Sequence, residues 1–232
     1  MKGAQLALAV QLQQSPSFDN FFPGPNEASV QVLRAQGTPA IWLYGATASG
    51  KTHLLRAAVN AAGDGARYLC VRDNPDVSAA MIVADETPGL LALDDIDTRL
   101  ADADWALALL RMIDQRRARG LRLLFSAGRA IARLELALPD LRTRFEAMML
   151  LGLKPLRETD RRALLRLHAS ARGLELPEDA MGGLLVHLQR DAGTLIAALE
   201  MLDQAALTAK RRLTLPFVQQ VLGPLVQLSL LQ

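Results

Sequence analysis

Gly45-Ala46-Thr47-Ala48-Ser49-Gly50-Lys51-Thr52 fits the pattern G-x-x-x-x-G-K-[ST] at every fixed position. The apolar run Ala40-Ile41-Trp42-Leu43-Tyr44 precedes it, and the helix-like stretch His53-Leu54-Leu55-Arg56-Ala57-Ala58-Val59 follows. The octapeptide therefore joins a strand to a helix, the context that turns this pattern into a phosphate site. Its glycines let backbone N–H groups close around a polyphosphate, and the helix N-terminus adds partial positive charge. Lys51 is expected to reach the β- and γ-phosphates and the Thr52 hydroxyl to hold Mg²⁺. The expected nucleotide-binding residues are Gly45, Ala46, Thr47, Ala48, Ser49, Gly50, Lys51, Thr52 and the adjoining His53.

Further along, Leu90-Leu91-Ala92-Leu93-Asp94-Asp95 reads as an apolar strand ending in acids. Behind a phosphate loop, a carboxylate at the end of a neighbouring strand orients Mg²⁺ through its waters, the role expected of Asp94. Asp95 is placed to polarise an attacking water.

Strand-like runs recur at Ala40–Tyr44, Arg67–Val71, Leu90–Leu93, Leu121–Ser126 and Met148–Leu153. The first four are each followed by a helical stretch, clearest over Trp105–Arg119, where Trp105, Leu109, Met112 and Ile113 share one face. Pro139-Asp140 suits the first turn of another helix. Such alternation predicts a parallel five-stranded sheet flanked by helices, and the unbroken apolar runs predict strands buried on both faces. After Pro155 the pattern becomes helical: Arg161–Ala171, Ala180–Gln189, Leu195–Thr208 and a short last helix over Phe217–Leu222, with Gly173, Pro177 and Gly193 as separators. The expected organisation is a flexible glutamine-rich arm over residues 1–17, an α/β nucleotide-binding domain over 18–154, and a small all-helical unit with its tail over 155–232.

Composition narrows the class. Half of the 232 residues are hydrophobic, ample for a core, and the net charge is only +2. The basic clusters Arg116-Arg117-Ala118-Arg119 and Lys210-Arg211-Arg212 read as solvated helix ends. With two Trp and two Tyr there is no stacking platform for a single strand. The single cysteine, Cys70, lies in an apolar run and reads as a buried thiol in a reducing compartment. No apolar stretch has the length of a membrane span, so the chain is expected to be cytoplasmic with no membrane partner.

Several segments resemble the AAA+ core of the bacterial replication initiator DnaA and its relatives. They are Phe18-Asp19-Asn20-Phe21 with Gly24 and Asn26, the phosphate loop running into Lys51-Thr52-His53-Leu54-Leu55, Asp94-Asp95-Ile96-Asp97, Leu138-Pro139-Asp140-Leu141 with Arg142-Thr143-Arg144-Phe145, and Leu213-Thr214-Leu215-Pro216-Phe217-Val218. The likeness is to regulatory members of the family, in which a short arm precedes the AAA+ module; no helix-turn-helix segment follows, so sequence-specific DNA binding is not expected. The resemblance implies an AAA+ P-loop core followed by a helical lid, ADP or ATP with Mg²⁺ as cofactor, and DnaA as partner, and leaves homo-oligomerisation open. It implies that residues 18–26 pass near the base and that Arg144 is a finger entering a neighbouring subunit's nucleotide site, where a guanidinium fork meets phosphate oxygens as charge develops. Own-site hydrolysis is expected to be weak.

The arm carries Gln5-Leu6-Ala7-Leu8-Ala9, similar to the Q-L-x-L-P peptide by which such regulators bind the DNA sliding clamp, the polymerase beta subunit. Leu6 and Leu8 would bury in an apolar groove while Gln5 bonds at its rim. Gln227-Leu228-Ser229-Leu230-Leu231 is a lesser candidate for the same role. Two departures from the family stand out: Gly128 replaces the acid before the arginine in the strand-end sensor, and Gly193 stands where relatives carry the lid sensor arginine.

Overall fold

The structure is a computed structural model and describes residues 15–35, 37–84, 89–187 and 192–229. Helix α1 (Glu27–Arg34) precedes strand β1 (Ala40–Tyr44), helix α2 (Lys51–Ala62) and strand β2 (Ala66–Cys70). Helix α3 (Ala79–Val83), β3 (Leu90–Asp94), α4 (Ala103–Ala118), β4 (Arg122–Ala127), α5 (Pro139–Glu146) and β5 (Met149–Gly152) follow. Among the described residues four helices follow: α6 (Glu158–Ala171), α7 (Glu178–His187), α8 (Ala192–Ala209) and α9 (Leu215–Ser229).

The five strands form one sheet in the order β2-β3-β4-β1-β5, every neighbouring pair parallel. The chain leaves β1 for the far edge, returns to β1's flank with β4, and adds β5 on its other side. Phosphate loop, acids and the end of β4 thereby gather at the carboxyl ends of β1, β3 and β4, the edge where parallel sheets bind ligands.

Strand alternation sorts the core into two layers. Trp42, Leu91, Leu93, Leu123 and Phe125 pack on one face with α4 and α5. Ile41, Leu43, Leu90, Ala92 and Leu124 pack on the other with α1 and α2. Period-two side chains with both faces covered explain why the central strands read as unbroken apolar runs. The edge strands differ from that expectation: Met149 and Leu150 of β5 are 43% and 47% exposed, because β5 has a neighbour on one side only.

On the first face Trp42, Phe125 and Phe145 form a ring trio with centroids 4.6–5.9 Å apart. Each such pair adds about 0.5–1.5 kcal/mol beyond its buried area, and Phe145 with Leu141 fixes α5 to the sheet. Helix α4 starts at Asp102, whose carboxylate accepts from the backbone N–H groups of Asp104 and Trp105. Near its end Arg116 is not the solvated cation expected from sequence. It is buried, and its guanidinium donates to the carbonyls of Gly89 and Arg122, tying α4 to the β3 and β4 entries.

The lid has its own core, in which Leu164, Leu165, Met181, Leu184, Leu195, Leu202, Phe217 and Leu222 meet. Gly193, expected as a separator, lies in the first turn of α8, and α9 runs to Ser229 rather than stopping near Leu222. Among the described residues no helix is long and apolar enough to cross a membrane.

Candidate nucleotide site

Between sheet and lid lies a cleft of about 1390 Å³. Its floor is the loop 46–50 with Lys51, Thr52 and His53, its near wall Phe21, Phe22 and Asn26, and its roof lid residues that include Leu164, His168, Arg172 and Gly193. All but one of the nine nucleotide-binding residues expected from sequence line it; Gly45 sits just below, buried at the end of β1.

The loop backbone explains its glycines. Gly50 has φ +96°, and a Cβ there would lie 2.6 Å from the Phe21 ring. At Gly45 a Cβ would stand 2.8 Å from Ser49 Oγ and 3.0 Å from the Leu153 carbonyl. Ala48 also takes a left-handed conformation, φ 57°, unusual for a residue with a side chain. A backbone reversing hand in this way turns successive N–H groups into an anion-binding concavity at the start of α2.

Lys51 Nζ donates to the carbonyls of Gly45 and Ala46, each at 2.9 Å. Burial pushes its pKa down, opposed by Asp95, Asp94 and Asp97. The Ser49 hydroxyl is buried with no hydrogen-bond partner among the described residues, an orphan that a phosphate oxygen would satisfy. A loop with no room for a Cβ at Gly45 or Gly50, a buried cation and an unpartnered donor fit a polyphosphate.

Asp94 is fully buried at the end of β3. Thr52 Oγ1 donates to its Oδ2 at 2.6 Å, Tyr68 OH to the same oxygen at 2.7 Å, and Ser126 Oγ to Oδ1. The Ser126 oxygen in turn accepts from the Asp95 backbone N–H at 3.0 Å. Asp95 is left-handed (φ 55°) and pairs with Arg72 at 3.2 Å. Burial, then the Asp94 charge, raises the Asp95 pKa, with Arg72 and Lys51 opposing. Thr52 and Asp94 could hold Mg²⁺ together, with Asp95 beside them at the cleft.

Tyr68, Ser126 and Arg72 were not singled out from sequence. Tyr68 and Ser126 read as members of apolar strands, and only the pairing of Cys70 with Asp94 brings β2 beside the acid. The one signal is a pair of hydroxyl side chains inside strands that are apolar apart from Arg67 and Arg122.

The segment before α1 is tied to the site. Ser17 and Asn20 exchange side-chain-to-backbone bonds, the Ser17 carbonyl meets His53 Nε2 at 2.9 Å, and Asn60 donates to the Pro16 carbonyl at 2.8 Å. The Asn26 side chain bonds both the carbonyl and the N–H of Lys154, joining the entry of α1 to the core–lid connection. Gln5, Leu6 and Leu8, and the side chains of Gln227 and Leu228, lie outside the described residues.

Arg144 is placed differently. It sits on α5 between the anchors Leu141 and Phe145, and 37% of its side chain is open to solvent. Its Nε and Nη2 meet the Asp114 carboxylate of α4 at 2.8 and 3.3 Å. The described residues lining the cleft do not include it. Arg142 donates instead to the carbonyls of Ile131 and Leu134 and fastens the loop after β4. Of the two departures, Gly128 donates its N–H to Asp97 Oδ2 at 2.9 Å, and both Gly128 and Gly193 face the cleft. On the lid side Arg172 lines it, bound to Glu200 at 2.8 Å and to the His168 carbonyl at 3.1 Å.

Residues 158–222 match the family described as Hda, lid domain. The chain is similar to domain III of the Thermotoga maritima replication initiation protein DnaA, at 19% identity and TM-score 0.74, over 90% of this chain and 96% of that one. AMPPCP-bound DnaA from Aquifex aeolicus matches at 19% identity and TM-score 0.70, over 81% of this chain and 64% of that one. The Thermotoga maritima RuvB Holliday junction branch migration motor matches at 17% identity and TM-score 0.63, over 84% and 64%. Sheet order, phosphate loop and helical lid define an AAA+ fold. More narrowly, residues 158–222 form a lid of the Hda type, carried on a fold that the chain shares with domain III of DnaA.

Proposed function

We propose that this protein is a negative regulator of replication initiation. It binds ADP or ATP with Mg²⁺ in its own cleft, docks on the DNA sliding clamp through Gln5, Leu6 and Leu8, and stimulates hydrolysis of ATP held by DnaA through Arg144 supplied in trans. The observation that carries this reading is the split between the two functional cations. Lys51 is buried in the cleft, whereas Arg144 stands on a rigidly anchored helix outside it, with donor capacity left beyond its Asp114 pair. A finger acting on a neighbour's phosphates needs that outward placement. The Hda-type lid supports the regulatory branch, and AMPPCP in a DnaA of the same fold supports a nucleotide in the cleft.

A second reading, an ATP-driven helicase loader or origin-remodelling ATPase, draws on the complete set Lys51, Thr52, Asp94 and Asp95 and on the likeness to a motor. Gly128 and Gly193 count against it, since neither offers a side chain to report a γ-phosphate. The deciding experiment is single-turnover hydrolysis of ATP preloaded on DnaA, with clamp and DNA, with and without this protein. Faster loss of DnaA-bound ATP supports the regulator. No acceleration, with ATP turnover by this protein alone, supports the motor.

A further inference from the structure

Three hydroxyls converge on the Asp94 carboxylate, and each does something different. Ser126 is fully used: its proton goes to Oδ1, and its oxygen accepts from the Asp95 N–H. Thr52 gives its single proton to Oδ2. Its lone pairs are thereby directed away from the carboxylate, the orientation a hydroxyl needs to bind a metal through oxygen while remaining protonated. That orientation lasts only while Oδ2 stays where it is. The third hydroxyl, Tyr68 OH at 2.7 Å, reaches Oδ2 from β2.

Tyr68 is well built to hold an atom in place. It sits on a strand paired in register with β3, with Tyr68 opposite Ala92 and Cys70 opposite Asp94. Its ring packs beside the α2 layer of the core, and the Arg56 guanidinium lies 4.7 Å from its centroid. Take the phenol oxygen away, and Oδ2 keeps only Thr52, the group whose direction it is meant to set.

We propose that Tyr68 is a positioning residue for the metal site: its hydroxyl locks the Asp94 carboxylate so that Thr52 presents its oxygen, and Asp94 its charge, to Mg²⁺ on the bound nucleotide. This rests on the nucleotide-binding reading above. It separates two contributions to affinity. The loop amides and Lys51 grip the phosphates with or without the metal, whereas Tyr68 acts only on the part of the affinity that Mg²⁺ adds.

The test is calorimetric titration of ADP and ATP into the full chain, in Mg²⁺ and in EDTA, for the parent and Tyr68→Phe. Phe keeps the ring and its packing. The expected result is a Mg²⁺-dependent gain in the parent that falls roughly tenfold in Tyr68→Phe, the scale of one lost hydrogen bond to a charged group. Affinity in EDTA should stay within about twofold and the melting temperature should be unchanged. Electron paramagnetic resonance of Mn²⁺ added to the ADP-loaded proteins gives a second readout, with weaker Mn²⁺ retention expected in the variant. The proposal fails if Tyr68→Phe keeps the parent's full metal-dependent gain. It fails equally if the variant loses affinity alike in Mg²⁺ and EDTA, or melts far below the parent, because Tyr68 would then serve the fold. A parent that binds neither nucleotide in either medium overturns the nucleotide reading itself, an outcome distinct from both.

Discussion

Lys51 and Arg144 carry the same charge in opposite settings. Lys51 is 7% exposed, its pKa lowered by burial, and it bonds carbonyls of its own loop. Arg144 faces solvent, its pKa raised by Asp114, on a helix whose Leu141 and Phe145 are locked into the sheet. The first arrangement suits holding a ligand, since desolvation strengthens every contact inside the cleft. The second suits delivery to another molecule: a rigid base, a fork held in one orientation, and a partner carboxylate at the surface, where an ion pair is readily exchanged. One chain thus has an inward cation and an outward one, and they should fail independently.

The largest effect should come from the outward side. Arg144→Ala is expected to cost on the order of 10³-fold in the rate at which DnaA-bound ATP is hydrolysed, while ADP affinity at this protein's own cleft stays within about twofold. A loss of own-site affinity would break the separation. Next comes the arm. Alanine at Gln5, Leu6 and Leu8 removes two side chains each worth roughly 1.5–3 kcal/mol when buried, so clamp capture in a pull-down should fall to background with no change in melting temperature. Retained capture that depends on Gln227, Leu228 and Leu230 would move the docking peptide to the other end.

On the inward side, Lys51→Ala removes a charge-assisted phosphate contact of about 1.5–3 kcal/mol. Calorimetry should then show ADP and ATP binding weakened roughly 10- to 100-fold; undiminished affinity for both would remove the phosphate-loop assignment. The smallest effect concerns Asp95, whose pKa is raised from 3.8 by burial and by Asp94. A carboxyl with a raised folded-state pKa favours folding when protonated, and that contribution is lost as pH rises through its folded value. At neutral pH the ionised group therefore lowers stability, partly offset by a half-exposed Arg72. Asp95→Asn should raise the melting temperature of the nucleotide-free protein by roughly 1–3 °C at pH 7, and the gap should close as pH falls toward 4. A gap that widens in acid would show that the carboxyl is stabilised by Arg72 more than it is penalised by burial.

The sequence was most legible where local rules and tertiary packing agree. The strand around Trp42 matches its apolar run to the residue, and β2 to β5 lie within a residue of theirs; for the central β1, β3 and β4 the reason is that a strand covered on both faces is apolar throughout. Helix α1 leaves little trace in the sequence: over Glu27–Arg34 only Val30 and Leu33 are buried, too short a stripe to stand out beside the Gly24-Pro25 turn. The end of α9 is not legible in the sequence, because Gly223-Pro224 is a strong stop signal that the continuing helix overrides.

Within the site, the phosphate loop is contiguous in sequence and was visible at once. The groups that tune it are not contiguous. Thr52, Tyr68 and Ser126 come to Asp94 from 42, 26 and 32 residues away, and Arg144 meets Asp114 across 30. Such pairs depend on strand order and register, neither of which a single chain of letters encodes locally.

The separation between inward and outward cations can be read in one mixture. DnaA is loaded with ATP carrying one γ-phosphate label and this protein with ATP carrying another, then both are combined with clamp-loaded DNA and followed in a single turnover. The account predicts rapid release of the DnaA label and near-complete retention of the other, with Arg144→Ala abolishing the first release and leaving the second unchanged. Release of this protein's own label, with the DnaA label retained, would contradict it.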